Sequence, residues 1–148
     1  GLERASPVRG RLRATAGRAG ALVVDDSYNA NPGSVRAALD YLARLTGTRI
    51  LVLGDLAELG PAARGLHREI GEYARAKCDV LVTVGALAAE AGDAFGPAAL
   101  QLADIDAARA AVEPLLGTGV TVLVKASRVM GLDRLVKALQ ADAPRQDS

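Results

Sequence analysis

Apolar residues along this chain gather in short runs, and longer stretches of helical spacing separate them. Residues 22–25, 49–53, 79–84 and 119–125 are nearly continuous in valine, leucine and isoleucine and read as buried strands. Residues 11–15 (Arg-Leu-Arg-Ala-Thr) alternate charged and apolar, the pattern of a half-exposed strand. A turn at 17–20 joins that run to 22–25, which predicts an antiparallel hairpin. A short strand is also expected at 99–102. Helices are predicted over 34–45, over 62–77 with Leu66, Ile70, Tyr73 and Ala74 on one face, from Gly85 to residue 94, over 104–116 with Asp104 as cap, and over 131–140. Strands alternating with helices make βαβ units. The expected fold is therefore α/β: a Rossmann-like three-layer sandwich, with a mainly parallel sheet of about six strands and the hairpin at its N-terminal end.

Residues 1–9 are polar and irregular and read as a linker, and 141–148 as a frayed, disordered tail. The 148 residues are one domain by length. Half are hydrophobic, yet the aromatics are only Tyr28, Tyr41, Tyr73 and Phe95, so the core is aliphatic. A net charge of +1 with both signs interspersed offers no basic face for nucleic acid. No apolar segment nears the ~20 residues of a membrane span, and no signal-peptide pattern is present. The single cysteine, Cys78, has no internal partner, which points to a reducing, cytosolic setting. The chain begins at Gly1, so a processed or cut-out piece of a longer protein is expected.

Chemistry collects where strands end. Residues 25–31 (Asp-Asp-Ser-Tyr-Asn-Ala-Asn) follow the first buried strand, 54–58 (Gly-Asp-Leu-Ala-Glu) the next, and 125–128 (Lys-Ala-Ser-Arg) the last. In a parallel sheet these loops share one edge, giving a cleft with charges of both signs beside helix N-termini. Each loop alone also fits a solvated turn or a helix cap. An apolar strand that ends in lysine is the least ordinary of the three, because burying an ammonium is costly. His67 lies inside a helical pattern with no partners at ligand spacing, so no metal site is expected. Neither GxxxxGK[ST] nor GxGxxG occurs, and the chain carries no phosphate cradle of its own.

These pieces resemble a known pattern. Asp-Asp-Ser-Tyr-Asn-Ala-Asn-Pro (25–32), Leu-Gly-Asp-Leu-Ala-Glu-Leu-Gly (53–60) and Leu-Val-Lys-Ala-Ser-Arg (123–128), with Gly10-Arg11-Leu12, look like the C-terminal domain of a Mur ligase over about residues 10–140. The form of the first two motifs resembles the branch that acts on D-alanyl-D-alanine. One position departs from the pattern: Ala126 stands where glycine is expected, and alanine restricts the backbone there.

The resemblance implies an ATP-dependent amide-forming ligase of peptidoglycan precursor synthesis. It would join D-alanyl-D-alanine to UDP-N-acetylmuramoyl-tripeptide through an acyl phosphate. Residues 1–9 would then be the linker from a central ATPase domain that supplies the phosphate loop and most of the Mg²⁺ contacts. Arg11, Asp26, Asn29 and Asn31 would contact ATP, with Arg11 at the phosphates and Asp26 at the ribose. Asp55 and Glu58 would hold the dipeptide ammonium, and Lys125, Ser127 and Arg128 its carboxylate. A cytoplasmic monomer is implied, inactive as the isolated domain. The competing readings are a phospho-receiver domain, with Asp25, Asp26, Asp55, Thr83 and Lys125 in the key places, and a Rossmann nucleotide module of unknown use.

Overall fold

The computed structural model describes residues 13–27 and 30–141. The predicted linker, Arg11, Asn29 and residues 142–148 lie outside them. In chain order the elements are β1 (Arg13–Ala16), β2 (Leu22–Asp26), α1 (Pro32–Ala43), β3 (Thr48–Gly54), α2 (Ala63–Ala74), β4 (Val80–Val84), α3 (Ala86–Phe95), β5 (Ala99–Leu102), α4 (Ile105–Val112), β6 (Val120–Lys125) and α5 (Asp133–Leu139).

The strands form one six-stranded sheet in the order β1-β2-β6-β3-β4-β5. The β1–β2 pair is antiparallel, with Arg13 opposite Asp25 and Ala16 opposite Leu22. The other pairings are parallel. Strand alternation divides the core in two. Leu51 and Leu53 of β3, Leu81 of β4 and Leu123 of β6 face one way, against Leu39 and Leu42 of α1, Ile70 and Ala74 of α2, and Ala88 and Ala91 of α3. Ile50, Val52, Val82, Val122 and Val124 face the other way, against Ala108 and Val112 of α4 and Leu135, Val136 and Leu139 of α5. This is the expected three-layer sandwich with its N-terminal hairpin.

Helix ends depart from expectation for local reasons. α1 begins at Pro32, two residues before the periodic run, because Asn31 caps it and proline suits the first helical position. The predicted helix 104–116 keeps α geometry only to Val112 and closes with a 3-10 turn, Glu113–Leu115. Pro114 has no N–H to continue the ladder. The last helix starts at Asp133 rather than at 131, since Arg128–Met130 forms a 3-10 turn ended by Gly131 at φ 70°. The C-terminal end is tied back to β1: Ala141 N donates to Ala16 O at 3.0 Å, and Gln140 Nε2 to Thr15 Oγ1 at 3.1 Å.

The order of the strands places the site. β6 is inserted between β2 and β3. The helices that follow β2 and β3 pack on one face of the sheet, and the helix that follows β6 packs on the other. Loops leaving neighbouring strands therefore diverge, which opens a crevice at the carboxyl ends of β2, β6 and β3.

Candidate functional site

Asp26, Lys125 and Asp55 stand side by side on that crevice. Asp26 ends β2 and Lys125 ends β6, and the parallel register sets them directly opposite each other. Lys125 Nζ donates to Asp26 Oδ2 at 2.8 Å. Alternation turns both side chains to the face that carries Val24 and Leu123. Lys125 is 2% exposed and Asp26 8%, so this is a buried ion pair rather than a solvated rim. Next to it, Asp25 Oδ1 accepts from Ser27 N at 3.0 Å and from Ser27 Oγ at 2.7 Å, which folds the loop after β2.

Asn31 is exposed and serves α1 as its cap. Its Oδ1 accepts from Ser34 N at 2.9 Å, while Asn31 N donates to Ser34 Oγ at 3.0 Å, a reciprocal capping box. The residue thus stands at the positive end of α1, on the side of the crevice that Asp26 occupies.

The third loop is built with more support than its sequence suggests. Asp55 is no solvated turn residue: its Oδ1 accepts from Ala88 N at 2.7 Å and so caps α3 across from the neighbouring strand. Gly85, which begins that helix at φ 110°, leaves room for the carboxylate, since a Cβ there would come within 2.5 Å of Asp55 Oδ1. Beneath the loop, His67 is fully buried. Its Nε2 accepts the Leu56 N–H at 3.1 Å, and its Nδ1 is 2.7 Å from Ala63 O. The pair of contacts requires the neutral ring with the proton on Nδ1. Glu58 sits at φ 61°, in the left-handed region, on the exposed crest of the same loop.

Ser127 joins this loop to β6: its Oγ donates to Asp55 O at 3.2 Å. Between them opens a pocket of about 350 Å³, lined by Asp55, Glu58, Ser127 and the apolar Leu87, Val129 and Met130 among others. Arg128 follows on the exposed 3-10 turn, and Val129 beside it is 84% exposed. Of the residues expected around a dipeptide, the structure brings Asp55, Glu58 and Ser127 to one pocket; Arg128 lies between two lining residues, Ser127 and Val129, but is not itself in the lining. Lys125 is not in that lining; its ammonium is engaged with Asp26.

Ala126 shows how the loop tolerates its methyl group. It is buried and is not among the residues with positive φ, so the expected backbone restriction does not arise. The methyl packs where Gly54 leaves space: a Cβ on Gly54 would lie 2.8 Å from both Ala126 Cβ and Leu132 Cδ1. Sequence reading missed the pocket's apolar wall, His67 as a support and Asp55 as the cap of α3. An acidic residue at one strand end and a glycine opening the helix after the next strand are the signal for that cap.

The fold and the crevice define the class: a doubly wound α/β domain with a polar ligand edge at a reversal of strand order. The chain belongs to the Mur ligase family, for residues 10–128 match the family described as Mur ligase, glutamate ligase domain. UDP-N-acetylmuramoyl-tripeptide--D-alanyl-D-alanine ligase of Escherichia coli (strain K12) is 38% identical over 143 residues, covering 95% of this chain and 31% of that protein. The ligase of the same name from Mycobacterium tuberculosis (strain CDC 1551 / Oshkosh) is 39% identical, covering 95% of this chain and 33% of that protein. The chain thus spans about a third of the length of the curated relatives it matches. Among solved structures, MurF ligase from Thermotoga maritima in complex with ADP superposes with a TM-score of 0.80 at 26% identity, over 90% of this chain and 31% of that one. MurF from Acinetobacter baumannii gives 0.79 at 29%, over 92% and 31%. The family sets aside the phospho-receiver reading, whose acceptor Asp55 instead holds a helix N-terminus.

Proposed function

We propose that this chain is the C-terminal domain of an ATP-dependent ligase that joins D-alanyl-D-alanine to UDP-N-acetylmuramoyl-tripeptide, in the cytoplasm, during synthesis of a peptidoglycan precursor. The observation that carries this reading is the shared rim of Asp26, Lys125, Ser127 and Asp55 on adjacent strands, in a chain with relatives of that name. ATP phosphorylates the tripeptide carboxylate. The free amine of the dipeptide attacks the acyl carbon, and phosphate leaves as the amide forms.

In this reading the rim has two halves. Asp26 accepts from the ribose hydroxyls, with Asn31 at the start of α1 on the same side; Arg11 and Asn29 belong to this half by sequence. The pocket between the 55–60 loop and Ser127 takes the dipeptide. Glu58 and Asp55 draw its ammonium, Ser127 and Arg128 its carboxylate, and Leu87 and Met130 offer an apolar wall for its methyl groups. Mg²⁺ accompanies ATP, but among the described residues no group of three His, Cys, Asp or Glu is placed to hold a metal ion. The domain's work is positioning: holding an amine in line with an activated acyl group can offset roughly 7–11 kcal/mol of barrier. Closing over the acyl phosphate also keeps water from it.

The test is phosphate release by the intact ligase that contains this segment. Glu58→Gln and Arg128→Gln should each raise KM for the dipeptide roughly tenfold, through loss of a charge-assisted contact, and leave KM for ATP unchanged. The 148-residue chain alone should turn over no ATP. Unchanged dipeptide KM in both variants would remove the pocket from the reaction.

A further inference from the structure

We infer that Lys125 is a positioning residue for Asp26, and so for the nucleotide, rather than a ligand of the dipeptide carboxylate. The inference deepens the ligase reading and rests on it. A lysine at a strand end is ordinarily in solvent, yet Lys125 is among the largest fully buried side chains, at 2% exposure. Its Nζ is engaged 2.8 Å from Asp26 Oδ2, and the strand register fixes that pairing directly across the β2–β6 ladder. The pocket between the 55–60 loop and Ser127 does not include Lys125 in its lining. A carboxylate bound in that pocket meets Ser127 and not the ammonium.

Energetics point the same way. A buried ion pair recovers little more than the cost of stripping its charges of water, and a well-packed apolar pair would hold β2 to β6 as well. What the pair supplies is a carboxylate held in one orientation at the end of β2 by the facing ammonium. The same short segment also holds the other half of the rim. Two residues after Lys125, Ser127 Oγ reaches Asp55 O at 3.2 Å. The end of β6 thus fixes the Asp26 carboxylate on one side and the backbone of the 54–58 loop on the other.

The experiment measures KM for ATP and for D-alanyl-D-alanine in the intact ligase with Lys125→Met, Asp26→Asn and both together. Lys125→Met should raise KM for ATP about tenfold or more, since a charge-assisted hydrogen bond is lost, with the dipeptide KM near wild type. The double variant should be no worse for ATP than Asp26→Asn alone, because Lys125 acts through that carboxylate. A merely structural role lowers the melting temperature and the active fraction but leaves both KM values in place. If Lys125→Met does not fold, the charge-neutral double variant set against Asp26→Asn carries the comparison: equal ATP KM supports the inference. A rise in dipeptide KM with ATP KM unchanged overturns it, as does a double variant whose losses simply add. A wild-type enzyme that releases no phosphate with ATP, the UDP-sugar tripeptide and the dipeptide would instead sink the ligase reading itself.

Discussion

Replacing His67 with leucine isolates the worth of one buried hydrogen bond under the 55–60 loop. The imidazole is fully enclosed, and its Nε2 is the acceptor for Leu56 N–H at 3.1 Å. Leucine fills much the same space but accepts nothing, and the Leu56 side chain, at 1% exposure, leaves little room for water to substitute. An unpaired buried donor costs about 1–3 kcal/mol. In a chain of this size that lowers the melting temperature by roughly 2–12 °C, at about 2–4 °C per kcal/mol. Ala63 O, which loses its side-chain donor, keeps its place in the helix and adds little. His67→Gln carries an amide oxygen that can reach the same N–H, and should recover part of the loss. Calorimetric melting of the three chains reads the stability, and hydrogen exchange at the Leu56 amide reads the bond itself. A leucine variant that melts with the wild type, and whose Leu56 amide exchanges no faster, would falsify the claim that His67 holds this loop.

Cys78 and Asp79, just before β4, give two pH predictions. Burial pushes the Cys78 thiol up from 9.0 to about 12. The unfolded chain therefore releases this proton first, and the stability contributed by the neutral thiol should fall as pH rises from 9 toward 12; a thiol reagent at pH 8 should label Cys78 only after unfolding. Asp79 behaves in the opposite sense. Its hydrogen bonds from the Arg49 guanidinium, at 3.2 and 3.3 Å, hold its carboxyl below the usual range. Its contribution is present above the ordinary carboxylate value and is lost as pH falls through the lowered one. The pair is partly exposed, so Asp79→Asn should cost about 0.5–1 kcal/mol at pH 7 after solvent screening and flatten the acid limb of a melting-temperature profile.

Most of the architecture was legible because period-two and period-3.6 patterns are local. The runs at 49–53 and 119–125 are buried on both faces and admit no other reading, and even the four-residue strand Ala99–Leu102 falls where expected. Helix ends were less legible where a single residue decides, as Pro114 does by withholding its N–H. The convergence of Asp26, Asp55 and Lys125 followed from parallel strands alone. Their division into two halves did not, because it depends on β6 lying between β2 and β3, a pairing between residues about a hundred positions apart. The role of Asp55 in holding α3 and the link from His67 to Leu56 are likewise tertiary. Both residues are correct to the eye as surface turn and helix interior, and only the packed chain shows what they touch.

The direction of β1 has a mechanical consequence. Because Arg13 stands across from Asp25, β1 starts at the edge of the sheet where β2, β6 and β3 end. A swing about that point acts as a lever whose arm grows with each strand crossed. Neighbouring strands lie ~4.8 Å apart, so a turn of about 30° displaces the end of β2 by only ~2.5 Å but the end of β3, three strands from the pivot, by ~7 Å. Under such a rotation the Asp26 half of the rim moves little and the Asp55 half moves most, so the two ligand halves of the proposed reading need not travel together.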